Sequence, residues 1–277
     1  MIRTTLTDVI AGRNRRGQIA IGLYLVPGFP TWPVSLHAAT KAARLGVDFI
    51  EFPAINQPTW SARTGTVIAH ALTQALRTPA DDSRWTTWLA LLPIRVAVVY
   101  RSAWPHPEEW CMPDSWRTGA SGLLLEPNVP DLAAYADVAA TFGQPLIVTM
   151  DATTASLNDE ERLSLRTGGG FVYSAMAPHT GTTACHVAFE KASEVRTERP
   201  DLPICYAFGV RTAAQVVALR RNPSCDGVII GTAALEQLQD GTANFERWLT
   251  RIVDAARQPR YPAGPSVMRL AGGSCEH

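Results

Sequence analysis

The segment Val47–Arg63, VDFIEFPAINQPTWSAR, decides how this chain is read. After Val47 and Asp48 it runs through apolar residues to the acid Glu51 and Phe52, and then breaks into Pro, Asn, Gln and Pro. No further acid appears until Asp81. A continuous apolar run, as opposed to an alternating one, is the pattern of a strand buried on both faces of a parallel sheet. Glu51 is therefore expected at the tip of such a strand, where sheet gives way to loop.

Working outward, runs of the same kind recur along the chain. They are IAIGLYLV from Ile19, IRVAVV from Ile94, GLLLE from Gly122, PLIVTM from Pro145, GGFVYSA from Gly169, PICYAFG from Pro203 and DGVIIG from Asp226. Amphipathic segments separate most of them. PVSLHAATKAARLG begins with Pro33 and stops at Gly46, which is sound helix punctuation. TVIAHALTQAL, DLAAYADVAATFG and TAAQVVALRR follow the second, fourth and seventh runs, and NFERWLTRIVDAARQ closes the pattern. The expected fold is α/β, a single (β/α)8 barrel over residues 1–258, with a short N-terminal helix in TTLTDVIAG and a disordered tail over 259–277. A doubly wound open sheet is the competing architecture. It calls for a GxGxxG turn after the first strand, where this chain has only VPGFP.

Composition excludes several classes. The 277 residues are 46% hydrophobic and 18% charged with a formal net charge of +0, which offers no basic excess for nucleic acid. The cluster Arg13, Arg15 and Arg16 reads as a solvated loop. The five cysteines are scattered without zinc-type spacing, so reduced thiols and a cytoplasmic location are expected. No apolar run is long enough to span a bilayer, and the N-terminus has no signal core.

In a barrel of this kind chemistry sits at the C-terminal ends of the strands. The residues to inspect there are Glu51, Tyr100, Glu126, Asp151, Tyr173, Gly209 and Gly231. The last strands carry the clearest pattern. AFGVRT (Ala207–Thr212), IIGTAAL (Ile229–Leu235) and PHTGTT (Pro178–Thr183) put small residues at successive turns. Such turns let a phosphate reach backbone N–H groups and a helix N-terminus, although each glycine alone also suits a plain tight turn. Apolar surroundings are expected to raise the pKa of Glu51 and suit it to acid–base work. Trp60 is placed either to stack on an aromatic substrate or to cover the mouth; Arg63 either pairs with Glu51, binds an anion or faces water. His179 is the one histidine near these turns, and Trp104, Trp110 and Trp116 cluster after the third run.

Taken together, VDFIEFP, GFVYSAMAPHTGTTA, ICYAFGVRTAAQV and DGVIIGTAAL resemble the tryptophan synthase α subunit family, in order and spacing over roughly Ile19 to Ala256. The resemblance implies retro-aldol cleavage of indole-3-glycerol phosphate to indole and glyceraldehyde 3-phosphate. It implies Glu51 as the acid that protonates the indole ring, Tyr173 and Tyr100 beside the substrate, and Gly181, Gly209, Gly231 and Thr232 at the phosphate; Thr180, Ala207 and Phe208, in the same turns, are further substrate-binding candidates. It also implies a pyridoxal-phosphate β-like partner. No metal or organic cofactor of the chain itself is expected, because the reaction moves protons and not electrons. The related indole-3-glycerol phosphate synthase barrel calls for a lysine at a strand end, but the only lysines, Lys41 and Lys191, lie in helical segments.

The departures from the family pattern are specific. Its loop aspartate after the second strand falls at Ser61 or Ala62, its first-turn aspartate at Phe29, and its aspartate after strand four at Asn128. The first glycine of the GFG turn is Ala207, and the YAN segment reads Tyr100-Arg101-Ser102. Several of these positions lie where the family docks its β partner, which weakens that expectation. Glu126 and Asp151 stand as replacement acids or as simple loop caps. The alternative to a lyase is a catalytically impaired homologue that binds a phosphorylated ligand and modulates a β-like synthase.

Overall fold

The computed structural model describes residues 5–54, 63–77, 87–88, 90, 95–99, 106, 120–125, 131–182 and 189–260. Within them the order is α1 (Leu6–Asn14), β1 (Ala20–Tyr24), α2 (Trp32–Leu45), β2 (Phe49–Ala54), α3 (Thr66–Leu76), β3 (Arg95–Val99), β4 (Gly122–Leu125), α4 (Leu132–Thr141) and β5 (Leu146–Asp151). The chain continues through α5 (Asp159–Thr167), β6 (Gly169–Ala175), α6 (Glu190–Glu198), β7 (Ile204–Ala207), α7 (Ala213–Arg220), β8 (Gly227–Ile230), α8 (Thr232–Gln239) and α9 (Thr242–Arg257). The strands close into one parallel barrel in sequence order, with β8 returning to β1 through Ala20↔Gly227 and Leu23↔Ile230. This is the architecture expected from the runs.

Local chemistry starts and stops the helices where the sequence punctuates them. Thr5 and Asp8 form a reciprocal capping box on α1, as do Asn158 and Glu161 on α5 and Thr212 and Gln215 on α7. Gly46 ends α2 in the left-handed conformation at φ 92°, a cap that a residue with a Cβ adopts only under strain.

Side chains fill the barrel axis, and their stacking sets the depth of the mouth. A Cβ on Gly22 would lie 2.4 Å from the Phe49 ring, so the ring occupies the space that glycine leaves. Phe49 meets Phe171 at a centroid distance of 5.4 Å. Beneath them Leu6 and Ile10 of α1 join the same interior cluster and plug the base. Two aspartates tie the base together. Asp48 accepts from the Ile21 N–H at 2.8 Å and pairs with Arg13 and Arg257. Asp226 accepts from the Ile204 N–H at 2.7 Å and pairs with Arg196. Pro259 and Arg260 also pack onto this base: the Arg260 N–H donates to Gly17 O at 2.8 Å and Arg220 donates to Pro259 O at 3.1 Å. The tail expected from residue 259 therefore has its first two residues held; 261–277 lie outside the described residues.

Candidate active site at the barrel mouth

Glu51 is the centre of the mouth, but it is not at a strand tip. β2 runs on through Ala54, with Pro53↔Val98 and Ala54↔Val99 still in register with β3. Glu51 is the third residue of this strand, level with Tyr24 of β1. It is sunk below the rim and only 1% exposed. Its Oε1 is buried without a hydrogen-bond partner among the described residues. Burial among apolar neighbours pushes its pKa up to about 8. The carboxyl is accordingly protonated at neutral pH, a proton donor with one oxygen left to be satisfied.

A cavity opens above Glu51. Tyr24, Ile68, Leu124, Tyr173 and Ile229 line its apolar part, and Thr180, Gly181, Phe208, Gly209, Gly231 and Thr232 line its far rim. That rim comes from three successive βα turns. Gly181 and Gly209 have φ of 87° and 81°, and Phe208 is itself left-handed at φ 63°. Gly231 caps α8 with no side-chain hydrogen bond, so the first N–H groups of this helix face a turn of small residues. A Cβ on Gly231 would come within 3.2 Å of the Tyr24 Cβ, and one on Gly181 within 3.5 Å of the Thr232 side chain. Small residues are what let these turns converge. Backbone N–H groups at such a rim suit an anionic ester.

The remaining sequence-derived candidates divide clearly. Tyr173 lines the cavity, and its ring meets Phe208 edge-on at 5.8 Å. Asp151 does not line it. As the last residue of β5 it stands at the rim, where the chain turns back and takes its carboxylate: Thr153 donates to Oδ1 from N at 2.8 Å and from Oγ1 at 2.7 Å. Of the two readings for Asp151, loop cap is the observed one. Ala207 does not line the cavity either; it is fully buried in the barrel interior. Trp60, Tyr100 and Glu126 lie outside the described residues, as do Ser61, Ala62, Asn128 and the tryptophans Trp104, Trp110 and Trp116. His179 is exposed, and Phe29 is buried with its ring edge-on to His70 at 6.1 Å.

Arg63 reaches the turn after β6 and the neighbouring Phe208 ring. Its Nε donates to Pro178 O at 2.8 Å and its guanidinium to Ala177 O at 3.3 Å, while it lies over the Phe208 ring at 5.3 Å. The backbone joins in: Thr180 N donates to Arg63 O at 2.9 Å, and Gly65 N donates to Thr180 Oγ1 at 2.6 Å. Sequence reasoning missed Tyr24, Thr149 and Arg211 in the cavity wall. Tyr24 ends β1, so the inspection of strand ends held the signal for it. Thr149 lies two residues inside β5 and gave no signal. Arg211 directly follows AFGV and is ion-paired with Glu236 of α8. Among the described lining residues Glu51 is the sole acid, and Arg63 and Arg211 are the cations. Among the described residues no group of three or more His, Cys, Asp or Glu is arranged for a metal, and no helix is long and apolar enough to cross a membrane.

Fold and site together define a (β/α)8 barrel with a buried acid on the floor of a mouth cavity and a glycine-rich rim opposite it. No family model matches the chain. It is 28% identical over 248 residues to the tryptophan synthase alpha chain of Methanosarcina mazei, covering 85% of this chain and 86% of that one. It is likewise 28% identical over 279 residues to that of Synechococcus elongatus, covering 92% and 98%. Among solved structures, tryptophan synthase from Mycobacterium tuberculosis superposes with a TM-score of 0.75 at 21% identity, covering 93% of this chain and 100% of that one, a likeness of fold. Over most of its length the chain is thus similar to tryptophan synthase alpha chains, the family its motifs resemble.

Proposed function

We propose that the chain is a carbon–carbon lyase of the tryptophan synthase α type, cleaving indole-3-glycerol phosphate or a modified analogue to indole and glyceraldehyde 3-phosphate. One observation carries this reading: a buried, protonated Glu51 whose Oε1 has no partner among the described residues, on the floor of an apolar cavity with a glycine-rich rim. The rim at Gly181, Gly209, Gly231 and Thr232 takes the phosphate. Tyr24, Leu124, Tyr173 and Ile229 enclose the ring. Glu51 gives its proton to the ring carbon that bears the side chain. The bond from that carbon to the glycerol carbon then breaks, its electron pair remaining on the ring. The hydroxyl on the departing carbon becomes the aldehyde, and its proton returns to the Glu51 carboxylate. One proton moves in each direction and the acid is restored. Tyr100, Trp60 and Glu126 enter this reading from the sequence alone.

Positioned acid–base catalysis is worth about 10²–10⁴-fold in rate. Single-turnover release of indole by the full chain should therefore fall by roughly that factor in Glu51→Gln. Retention of the parent rate by that variant would sink the lyase reading. A second reading has its own support: among the described lining residues there is no second carboxylate, and Asp151 is occupied by Thr153. On that reading the chain binds the phosphorylated ligand and modulates a pyridoxal-phosphate β-like synthase without cleaving it. Saturable ligand binding with no indole release in either protein would select it.

A further inference from the structure

The rim turn that carries Thr180 and Gly181 is not held by its own strand alone. Its preceding carbonyls, at Ala177 and Pro178, accept hydrogen bonds from one guanidinium on the other side of the mouth, that of Arg63. The Arg63 carbonyl accepts the Thr180 N–H, and two residues on the Gly65 N–H donates to the Thr180 hydroxyl. The contact is too close for a side chain at residue 65, since a Cβ there would stand 2.0 Å from Thr180 O. The same guanidinium covers the face of Phe208, which belongs to the neighbouring rim turn, and Phe208 in turn abuts Tyr173. One cation thus touches two of the three turns of the rim.

We infer that Arg63 is a positioning residue for the anion cradle, fixing the Thr180–Gly181 turn relative to the Phe208–Gly209 turn so that their backbone N–H groups converge on one anion. This rests on the phosphate reading of the rim given above. A planar guanidinium is the suitable group. It donates to two carbonyls in a fixed fork while its face stacks on a ring, which an ammonium cannot do. Its charge beside the rim also favours an anionic ligand over a neutral one. Leu124 and Ile229, at the ring end of the cavity, stand on β4 and β8 and not on the turns that Arg63 contacts.

The test is titration of the full chain with inorganic phosphate by calorimetry and, separately, with indole by tryptophan fluorescence. In Arg63→Ala the phosphate Kd should rise about tenfold, the scale of one charge-assisted hydrogen bond, while the indole Kd stays within about twofold. Arg63→Lys should fall between parent and alanine variant, because it restores charge without the fork or the stack. Arg63→Gln, a shorter neutral side chain that keeps one NH2 donor group and the aliphatic stem, provides the same comparison if the alanine variant does not fold. An unchanged phosphate Kd in both Arg63→Ala and Arg63→Gln would overturn the positioning role and leave the phosphate reading intact. An equal loss of phosphate and indole affinity would overturn it too, as the mark of general structural damage. If the parent itself shows no saturable phosphate binding, the anion cradle falls and the inference with it.

Discussion

Glu51 is held in its acid form by the fold, and that state has a measurable cost. An unfolded glutamate ionises near the ordinary value of 4.5, whereas Glu51 in the fold does so at about 8. Between those values the unfolded chain binds fewer protons than the native one, so stability falls as pH rises through this window. The full difference corresponds to on the order of 5 kcal/mol, present below pH about 4.5 and lost above pH about 8. Gln at this position cannot ionise. Thermal melts at pH 5 and pH 9 should therefore show a smaller fall in Tm for Glu51→Gln than for the parent. Parallel losses in the two proteins would mean that Glu51 is ionised in the native state already at neutral pH. The same protonation state bears on activity, since a proton donor with this pKa should give a single-turnover rate that declines above pH about 8.

At the scale of elements, the mouth is shaped where the start of α3 meets the turn after β6. Gly65 precedes α3 as its N-cap and lies against the Thr180 backbone, where an added Cβ would clash with a carbonyl and not with a movable side chain. Gly65→Ala should separate the two segments and destabilise the protein by about 1–3 kcal/mol, read by urea unfolding. Its phosphate affinity should fall along with its stability; a variant with both unchanged would show that these segments do not need the contact. The neighbouring β5–α5 corner is built differently. Lys191 of α6 is buried and donates to Asp151 O, Thr154 Oγ1 and both oxygens of Glu161, whose Oε1 also accepts the Asp151 N–H. This corner is a fully used polar knot, and it fixes the end of β5 outside the cavity.

At the scale of the molecule, the depth of the site follows from how the barrel is filled. Gly22 makes room for Phe49, Phe49 and Phe171 fill the axis, and Gly122 leaves space for Leu6 of α1, whose Cδ1 would be 2.7 Å from a Cβ there. The floor beneath Glu51 is thus solid aromatic packing. In Gly22→Ala the new methyl would overlap the Phe49 ring, because a separation of 2.4 Å is far below contact distance. The expected cost is about 1–3 kcal/mol in urea unfolding, with an unchanged m-value because the surface exposed on unfolding is nearly the same. A neutral result would show that the axis has slack.

Much of the fold was legible in local pattern, because burial on both faces leaves continuous apolar runs and because caps such as Thr5, Asn158 and Gly46 act within a few residues. The glycine turns at 181, 209 and 231 were legible for the same reason, since backbone conformation is a local demand. What the linear chain did not reveal was height within the barrel. Glu51 and Asp151 each close an apolar run and look alike in sequence, yet Glu51 lies three residues short of the end of β2 and Asp151 is the last residue of β5. Strand register and the filling of the axis decide which acid is submerged and which meets the next loop. Arg63 is the second case: its carbonyl partners lie 114 and 115 residues away, a distance only the closed barrel removes.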